Sequence, residues 1–349
     1  MYGVDIGLFQ VHRELTWAAV FLNADGTIYG RYGSRGARRG MKDNDKDISV
    51  EGFKKALEGA LEVHQGYPGN KATLAGKRGG TPLAAAPEKL PAAPPEEAHA
   101  AGPGRHGCIH CHQVQEWEML SVWKSSRPVP DKLLWAFPAP DVLGLTLDLR
   151  ERATVRAVAE GSAAARAGFR PGDRIVLLSG QPIISIADVE WVLHQAPEPS
   201  TVKAEVDREG QRAALDLPLA KGWRRGGDFV ETLSLGWSAR HLIAGMRCRE
   251  VAPEEKLRLG LARDALALSV RETTDPAVKR RNPSAAKIGL RRDDVIVEVD
   301  GQKASMTESQ FLAYLVQKKT PGQKVDLTYL RDGKTQAVQL ELPEGLSAP

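Results

Sequence analysis

At 349 residues, with 42% hydrophobic and 26% charged positions, the chain can hold two or three separately cored domains of ordinary globular composition. The net charge of +4 is spread thinly, and its short basic clusters (Arg35–Arg39 and Lys279-Arg280-Arg281) have no interleaved aromatics, which argues against a nucleic-acid partner. Three cysteines exclude a disulfide-rich scaffold, and no stretch approaches the roughly 18–20 apolar residues of a membrane span.

The first residues, Met1-Tyr2-Gly3-Val4-Asp5, have neither the basic start nor the apolar core of an export signal. Residues 14–33 predict a hairpin. The apolar run Trp17-Ala18-Ala19-Val20-Phe21-Leu22 leads into the turn Asn23-Ala24-Asp25-Gly26, and Thr27 to Gly33 returns. A helix follows over 49–64, with Val50, Phe53, Leu57, Ala60, Leu61 and His64 at a 3.6-residue period and Ser49 or Asp47 as cap. Residues 66–105 shift to Pro, Ala and Gly and read as a linker too poor in large apolar groups to build a core.

The stretch Gly107-Cys108-Ile109-His110-Cys111-His112 contains Cys-x-x-Cys-His, the attachment motif of c-type haem. Cys108 and Cys111 would bond the porphyrin vinyl groups, and His112 would be the axial iron ligand. A dithiol/disulfide pair or part of a zinc site uses the same cysteine spacing and stays open. A helix follows, with Val114, Trp117, Leu120 and Lys124 at helical spacing. Trp117, Trp123 and Trp135 lie within 19 residues. They suit either a haem pocket or a helix docked on a neighbouring domain. Met119 and His106 are candidate sixth ligands, and an open sixth position fits as well. The third cysteine, Cys248, lies in a β-like run from Gly245 to Val251, where a buried inert thiol is expected.

An internal repeat occupies the rest. Ala164-Ala165-Arg166-Ala167-Gly168-Phe169-Arg170-Pro171-Gly172-Asp173-Arg174-Ile175 recurs as Ala285-Ala286-Lys287-Ile288-Gly289-Leu290-Arg291-Arg292-Asp293-Asp294-Val295-Ile296. Each copy continues through Gly-Gln (Gly180-Gln181, Gly301-Gln302) into an amphipathic helix, then a strand, a charged turn and a last strand. The second copy has Arg292-Asp293 where the first has Pro171-Gly172, which predicts a strained turn.

The repeat resembles the PDZ signature of bacterial HtrA-type proteins, over about 80 residues from Val142 and about 100 from Leu242. That resemblance implies a carboxylate-binding loop at Val142, Leu143, Gly144 and Leu145, and a weaker one at Ala244, Gly245 and Met246. There, protein C-termini or extended peptides would add as a strand. It stops short of the protease: no Gly-x-Ser-Gly-Gly nucleophile motif, P-loop or His-Glu-x-x-His is present.

The hairpin and helix of residues 1–65 resemble the C-terminal half of a thioredoxin-like domain. Only 13 residues, none of them cysteine, precede the hairpin, so the family's redox motif is absent. This suggests a chain that begins inside a longer protein, although a small α+β appendage fits as well. The combination resembles bacterial exported proteins that fuse a thioredoxin-like domain to PDZ repeats, some of them selenoproteins.

The expected fold is α+β and multidomain. It comprises a partial thioredoxin-like segment (1–65), a linker (66–105), a haem-type segment (106–138) and PDZ domains at 139–220 and 235–343. The expected function is an exported, periplasmic peptide-binding protein with a haem c redox segment. Two alternatives are a pure PDZ scaffold with a structural or zinc-binding Cys-x-x-Cys-His and, in a longer parent protein, a thiol-disulfide oxidoreductase.

Overall fold

The computed structural model describes residues 1–15, 17–33, 48–95, 109–232, 234–277 and 282–344. They form two units, each built from separated stretches: Met1–Lys89 with Trp135–Thr232, and Leu90–Leu134 with Leu233–Pro349. Each unit therefore joins one copy of the repeat to a segment from the front of the chain.

In the first unit the predicted hairpin forms from β1 (Ala19–Leu22) and β2 (Ile28–Tyr32), paired from Ala19↔Tyr32 to Leu22↔Ile28. The Asn23 side chain accepts the Asp25 N–H at 2.9 Å and holds the turn. Helix α1 (Val50–Gln65) is capped by Ser49, whose hydroxyl accepts the Gly52 N–H at 2.9 Å; Asp47, the other predicted cap, lies outside the described residues. The helix packs through only part of its apolar stripe, with Phe53 edge-on to Trp17 at 5.0 Å and Val63 against the Tyr29 cluster. It buries Gly52, Ala56, Gly59 and Ala60, while Val50, Leu57 and Leu61 stay exposed. Close approach is the reason, because a Cβ on residue 52 would lie 2.1 Å from the Leu149 carbonyl.

The stretch read as a linker supplies anchors instead of a core. Short helical turns at Lys71–Leu74 and Ala75–Lys77 bury Leu74 and Lys77. From Leu90 the chain belongs to the second unit, where it forms α2 (Cys111–Lys124), and it returns to the first at Trp135.

The first repeat pairs β3 (Leu145–Leu147) with β4 (Val155–Val158), followed by α3 (Ala163–Ala167), β5 (Arg174–Leu178), β6 (Gln181–Pro182) and α4 (Ile186–Gln195). The hairpin β7 (Ser200–Arg208) and β8 (Gln211–Leu219) completes a four-stranded sheet in the order β6-β5-β7-β8. Its two-residue turn places Glu209 at φ 54° and Gly210 at φ 83°, the twist that right-handed strands require. Leu145, Phe169, Ile175, Val189, Leu193 and Val206 meet in the core.

In the second unit Leu90 and Ala92 are buried, and the Ala92 N–H donates to the Ser121 hydroxyl at 3.0 Å. Helix α2 packs on nearly all sides, with Trp117, Met119, Leu120 and Trp123 buried. The Trp123 indole donates to the Lys319 carbonyl at 3.3 Å. Trp135 is used in the first unit, edge-on to Phe229 at 5.2 Å with its indole N–H on the Gly227 carbonyl at 2.8 Å. All three tryptophans are buried, Trp117 and Trp123 in the second unit and Trp135 in the first.

The second repeat runs β9 (Met246–Glu250), α5 (Pro253–Arg258), β10 (Leu268–Thr273), β11 (Val295–Val299), α6 (Glu308–Lys318), β12 (Lys324–Arg331) and β13 (Lys334–Glu341). Here one five-stranded antiparallel sheet forms, in the order β13-β12-β11-β10-β9. The final turn repeats the first copy's geometry, with Asp332 at φ 51° and Gly333 at φ 72°. Among the described residues no helix is long and apolar enough to cross a membrane.

Candidate peptide-binding sites and the Cys-x-x-Cys-His segment

Both predicted carboxylate loops end on a left-handed glycine whose carbonyl accepts a backbone N–H, although the turns that lead into them differ. In the first repeat a 3₁₀ turn, Pro140–Leu143, ends on Gly144 at φ +86°, whose N–H returns to the Asp141 carbonyl at 2.9 Å. The Gly144 carbonyl accepts the Ala159 N–H at 2.8 Å. Leu143 and Leu145 on either side are buried and Val142 is partly exposed. Only glycine fits, since a Cβ would be strained at this φ and would lie 2.2 Å from the Ser162 Cβ.

In the second repeat a π-helical turn, Ala239–Ala244, ends on Gly245 at φ +69°, and the Gly245 carbonyl accepts the Thr274 N–H at 2.8 Å. Ala244 and Met246 are buried. Asn282 braces this loop by donating from Nδ2 to the Ile243 carbonyl at 2.6 Å.

A repeated ion pair escaped the sequence reading. Asp173 and Asp294, each at the end of the duplicated motif, are buried. Arg208 holds both Asp173 carboxylate oxygens, at 2.7 and 2.8 Å, and donates to the Gly168 carbonyl at 2.9 Å. Arg331 does the same for Asp294, at 2.7 and 2.6 Å, and for the Gly289 carbonyl at 2.7 Å. Burial alone would raise the Asp173 carboxyl, but Arg208 and the Arg170 N–H overcome it and hold the group below the usual carboxylate range. The signal was available, because each charged turn carries an arginine that bidentate geometry favours.

The two repeat helices are tethered differently. In α4 the third helical residue, Asp188, is fully buried. It forms an ion pair with Lys77 at 2.9 Å and accepts the Arg31 N–H at 3.2 Å and the Ile184 N–H at 3.1 Å. The Arg31 guanidinium lies 3.8 Å from the Trp191 ring centroid, and burial pulls Arg31 down to about 10 against the opposing pull of Asp188. Burial likewise pushes Lys77 below its ordinary value. In α6 the corresponding Gln310 only closes a capping box with Thr307. The first residue of α6, Glu308, instead accepts the Cys248 N–H of β9 at 2.6 Å and is held by Arg240, with Nε at 3.0 Å. Burial first, and Glu308 second, push the Cys248 thiol up, as expected for an inert cysteine.

At the Cys-x-x-Cys-His segment, Cys108 lies outside the described residues, as does His106. Cys111 is the first residue of α2 and His112 the second, both partly exposed. The His112 Nδ1 lies 3.5 Å from the Glu116 carboxylate one turn on, and its ring stacks on His110 at 5.6 Å. Met119, the other candidate sixth ligand, is fully buried within its unit.

Residues 141–219 and 257–342 each match the PDZ domain family. A probable periplasmic serine endoprotease, DegP-like, of Pseudomonas savastanoi pv. phaseolicola is 26% identical over 198 residues, 57% of this chain and 39% of that protein. Its counterpart in Pseudomonas fulva is 28% identical over 193 residues, 55% of this chain and 38% of that protein. A putative zinc metalloprotease of Rhizobium meliloti is 46% identical over 63 residues, 18% of this chain and 16% of that protein. The chain thus spans about two fifths of the length of its DegP-like relatives. Among solved structures, the HtrA-type protease AlgW with decapeptide matches at 17% identity over 42% of this chain and 50% of that one, with a TM-score of 0.25.

Proposed function

From the two PDZ domains that this chain carries, of the kind found in HtrA- and DegP-type proteins, we propose that it is an exported docking protein for protein C-termini or extended peptides. The observation that carries this reading is Gly144. A left-handed glycine stands between two buried leucines at the head of β3, the position at which the resemblance places the carboxylate loop. A terminal carboxylate would sit on that loop, and the peptide would add beside β3. A periplasmic location follows from the DegP-like relatives, whose names give that compartment.

The test is fluorescence anisotropy of the full chain with random decapeptides, made with free and with amidated C-termini. Free acids should bind at least tenfold tighter than amides. Equal binding would sink the carboxylate-loop reading.

The Cys-x-x-Cys-His segment supports a second reading, because Cys111 and His112 stand partly exposed at the start of α2. Cys108 and Cys111 would tether a c-type haem, and His112 would ligate its iron. The haem would supply one-electron chemistry. A pyridine haemochrome spectrum of protein made in a host with c-type maturation decides between this and a structural, zinc-binding or dithiol role. The hairpin and α1 are read as the remnant of a thioredoxin-like domain, whose thiol chemistry would belong to a longer parent protein.

A further inference from the structure

The two PDZ domains are not equivalent docking sites. An incoming strand must bond to the edge of β3 or of β9, and in the second domain a main-chain donor on that edge is already taken. Cys248 lies two residues beyond Met246 and pairs with Val270 of β10 in register, yet its N–H points away from β10 to Glu308 Oε1 at 2.6 Å. Glu308 is the first residue of α6, so its side chain spans the gap between helix and strand in which a peptide would lie. Arg240, from the turn that leads into the carboxylate loop, grips both carboxylate oxygens. The pair is buried, with side chains 10% and 8% exposed. A second bond, from the Glu308 N–H to the Glu250 carboxylate at 2.9 Å, fastens the same helix end to the same strand.

In the first domain, Ile186 follows the cap Ser185 as Glu308 follows Thr307. Its side chain has no acceptor, so no equivalent bridge can form. We infer that Glu308 and Arg240 latch the second groove shut, so that the first domain takes the peptide. This assignment rests on the docking reading above.

Opening the latch would part a buried carboxylate from its guanidinium, and a strand added to β9 brings no cation to replace Arg240 beside Glu308. One broken partner leaves the other uncompensated, which makes entry unfavourable. Replacing both at once removes the latch without that penalty, because a matched apolar pair often substitutes for a buried ion pair at little cost. The informative variant is therefore the double substitution Arg240→Met with Glu308→Ile, which copies the residue at position 186.

The experiment is residue-resolved amide exchange on the full chain, with and without a pool of random decapeptides bearing free C-termini. In the wild type, peptide should protect residues 145–147 and leave 246–248 unchanged. Protection of 246–248 in the wild type would overturn the inference, and this arm needs no variant. Without peptide, the Cys248 amide should exchange at least tenfold faster in the double variant, judged folded by its melt, and added peptide should then protect 246–248. An unchanged Cys248 amide, or no gain of protection, would also overturn it. If peptide protects neither loop in the wild type, the docking reading fails, while the Cys248 amide still reports whether the latch exists.

Discussion

The two PDZ domains share a clamp and differ in what their helices hold. In both, an arginine of the final hairpin grips the buried aspartate of the repeated motif and caps a carbonyl one turn away. That interaction closes the domain on itself, and duplication has kept it. The helix after Gly-Gln diverges. In the first domain its third residue reaches outward, where Asp188 ties down β2 and Lys77. In the second its first residue reaches inward, where Glu308 ties down β9. One scaffold thus spends its helix on anchoring the front of the chain, and the other on closing its own groove.

Asp188→Asn tests this contrast most severely. It leaves Lys77 and Arg31 buried without their counter-charge and should destabilise the first unit by about 3–5 kcal/mol. Gln310→Ala, at the equivalent place, should cost only about 1 kcal/mol, the usual worth of a cap. Similar losses in chemical denaturation would mean that Asp188 is no more than a cap.

Arg208→Ala and Arg331→Ala come next, at about 3 kcal/mol each, since each strands a buried carboxylate. Unequal costs would show that the clamp is not the shared element.

Gly144→Ala should follow, at about 2 kcal/mol from backbone strain and the contact with Ser162, with at least a tenfold loss of peptide affinity. An unaffected affinity would move the docking site away from this loop.

The clamp also has a pH signature. The folded-state carboxyl of Asp173 titrates below its unfolded value, so its contribution is present above about pH 4 and is lost as pH falls through the depressed folded value. The cost of Arg208→Met, measured by urea melts, should therefore shrink from pH 6 towards pH 3. A constant cost would remove the electrostatic part of the argument.

The smallest effect is expected at Asp293, which holds φ +70° where the first domain has Gly172 at φ +91°. Asp293→Gly should be neutral or stabilising by up to about 1 kcal/mol, because Asp tolerates the left-handed region better than most residues and its pair with Arg271 is exposed. A clear loss would mean that the second turn depends on the aspartate.

Much of this was legible before any coordinates. Period-2 and period-3.6 patterns revealed the first hairpin and α1, the recurring motif revealed the duplicated units, and the resemblance to PDZ domains pointed to the two glycine loops. The strained Arg292-Asp293 turn was legible too, because a residue other than glycine stands where the other copy has glycine. The exposure of Val50, Leu57 and Leu61 on α1 was not, because periodicity marks a face and does not say which part of it is wanted. Gly52 and Gly59 let the helix approach its neighbours more closely than Leu57 or Leu61 could. The stretch 66–95 looked like a linker by composition, yet it sends Lys77 and Leu74 into buried positions. Composition counts side chains and cannot see a single lysine aimed at a carboxylate 111 positions away.

Chain-local chemistry was enough to set the repeat, the turns and the glycines that a left-handed backbone requires, since these depend on neighbours in the chain. The destinations of the buried charges came from folding alone: Lys77 to Asp188, Arg208 to Asp173, Arg331 to Asp294 and Arg240 to Glu308. A charge can leave water only beside a partner, and in each of these pairs the partner is supplied by a different element of the fold.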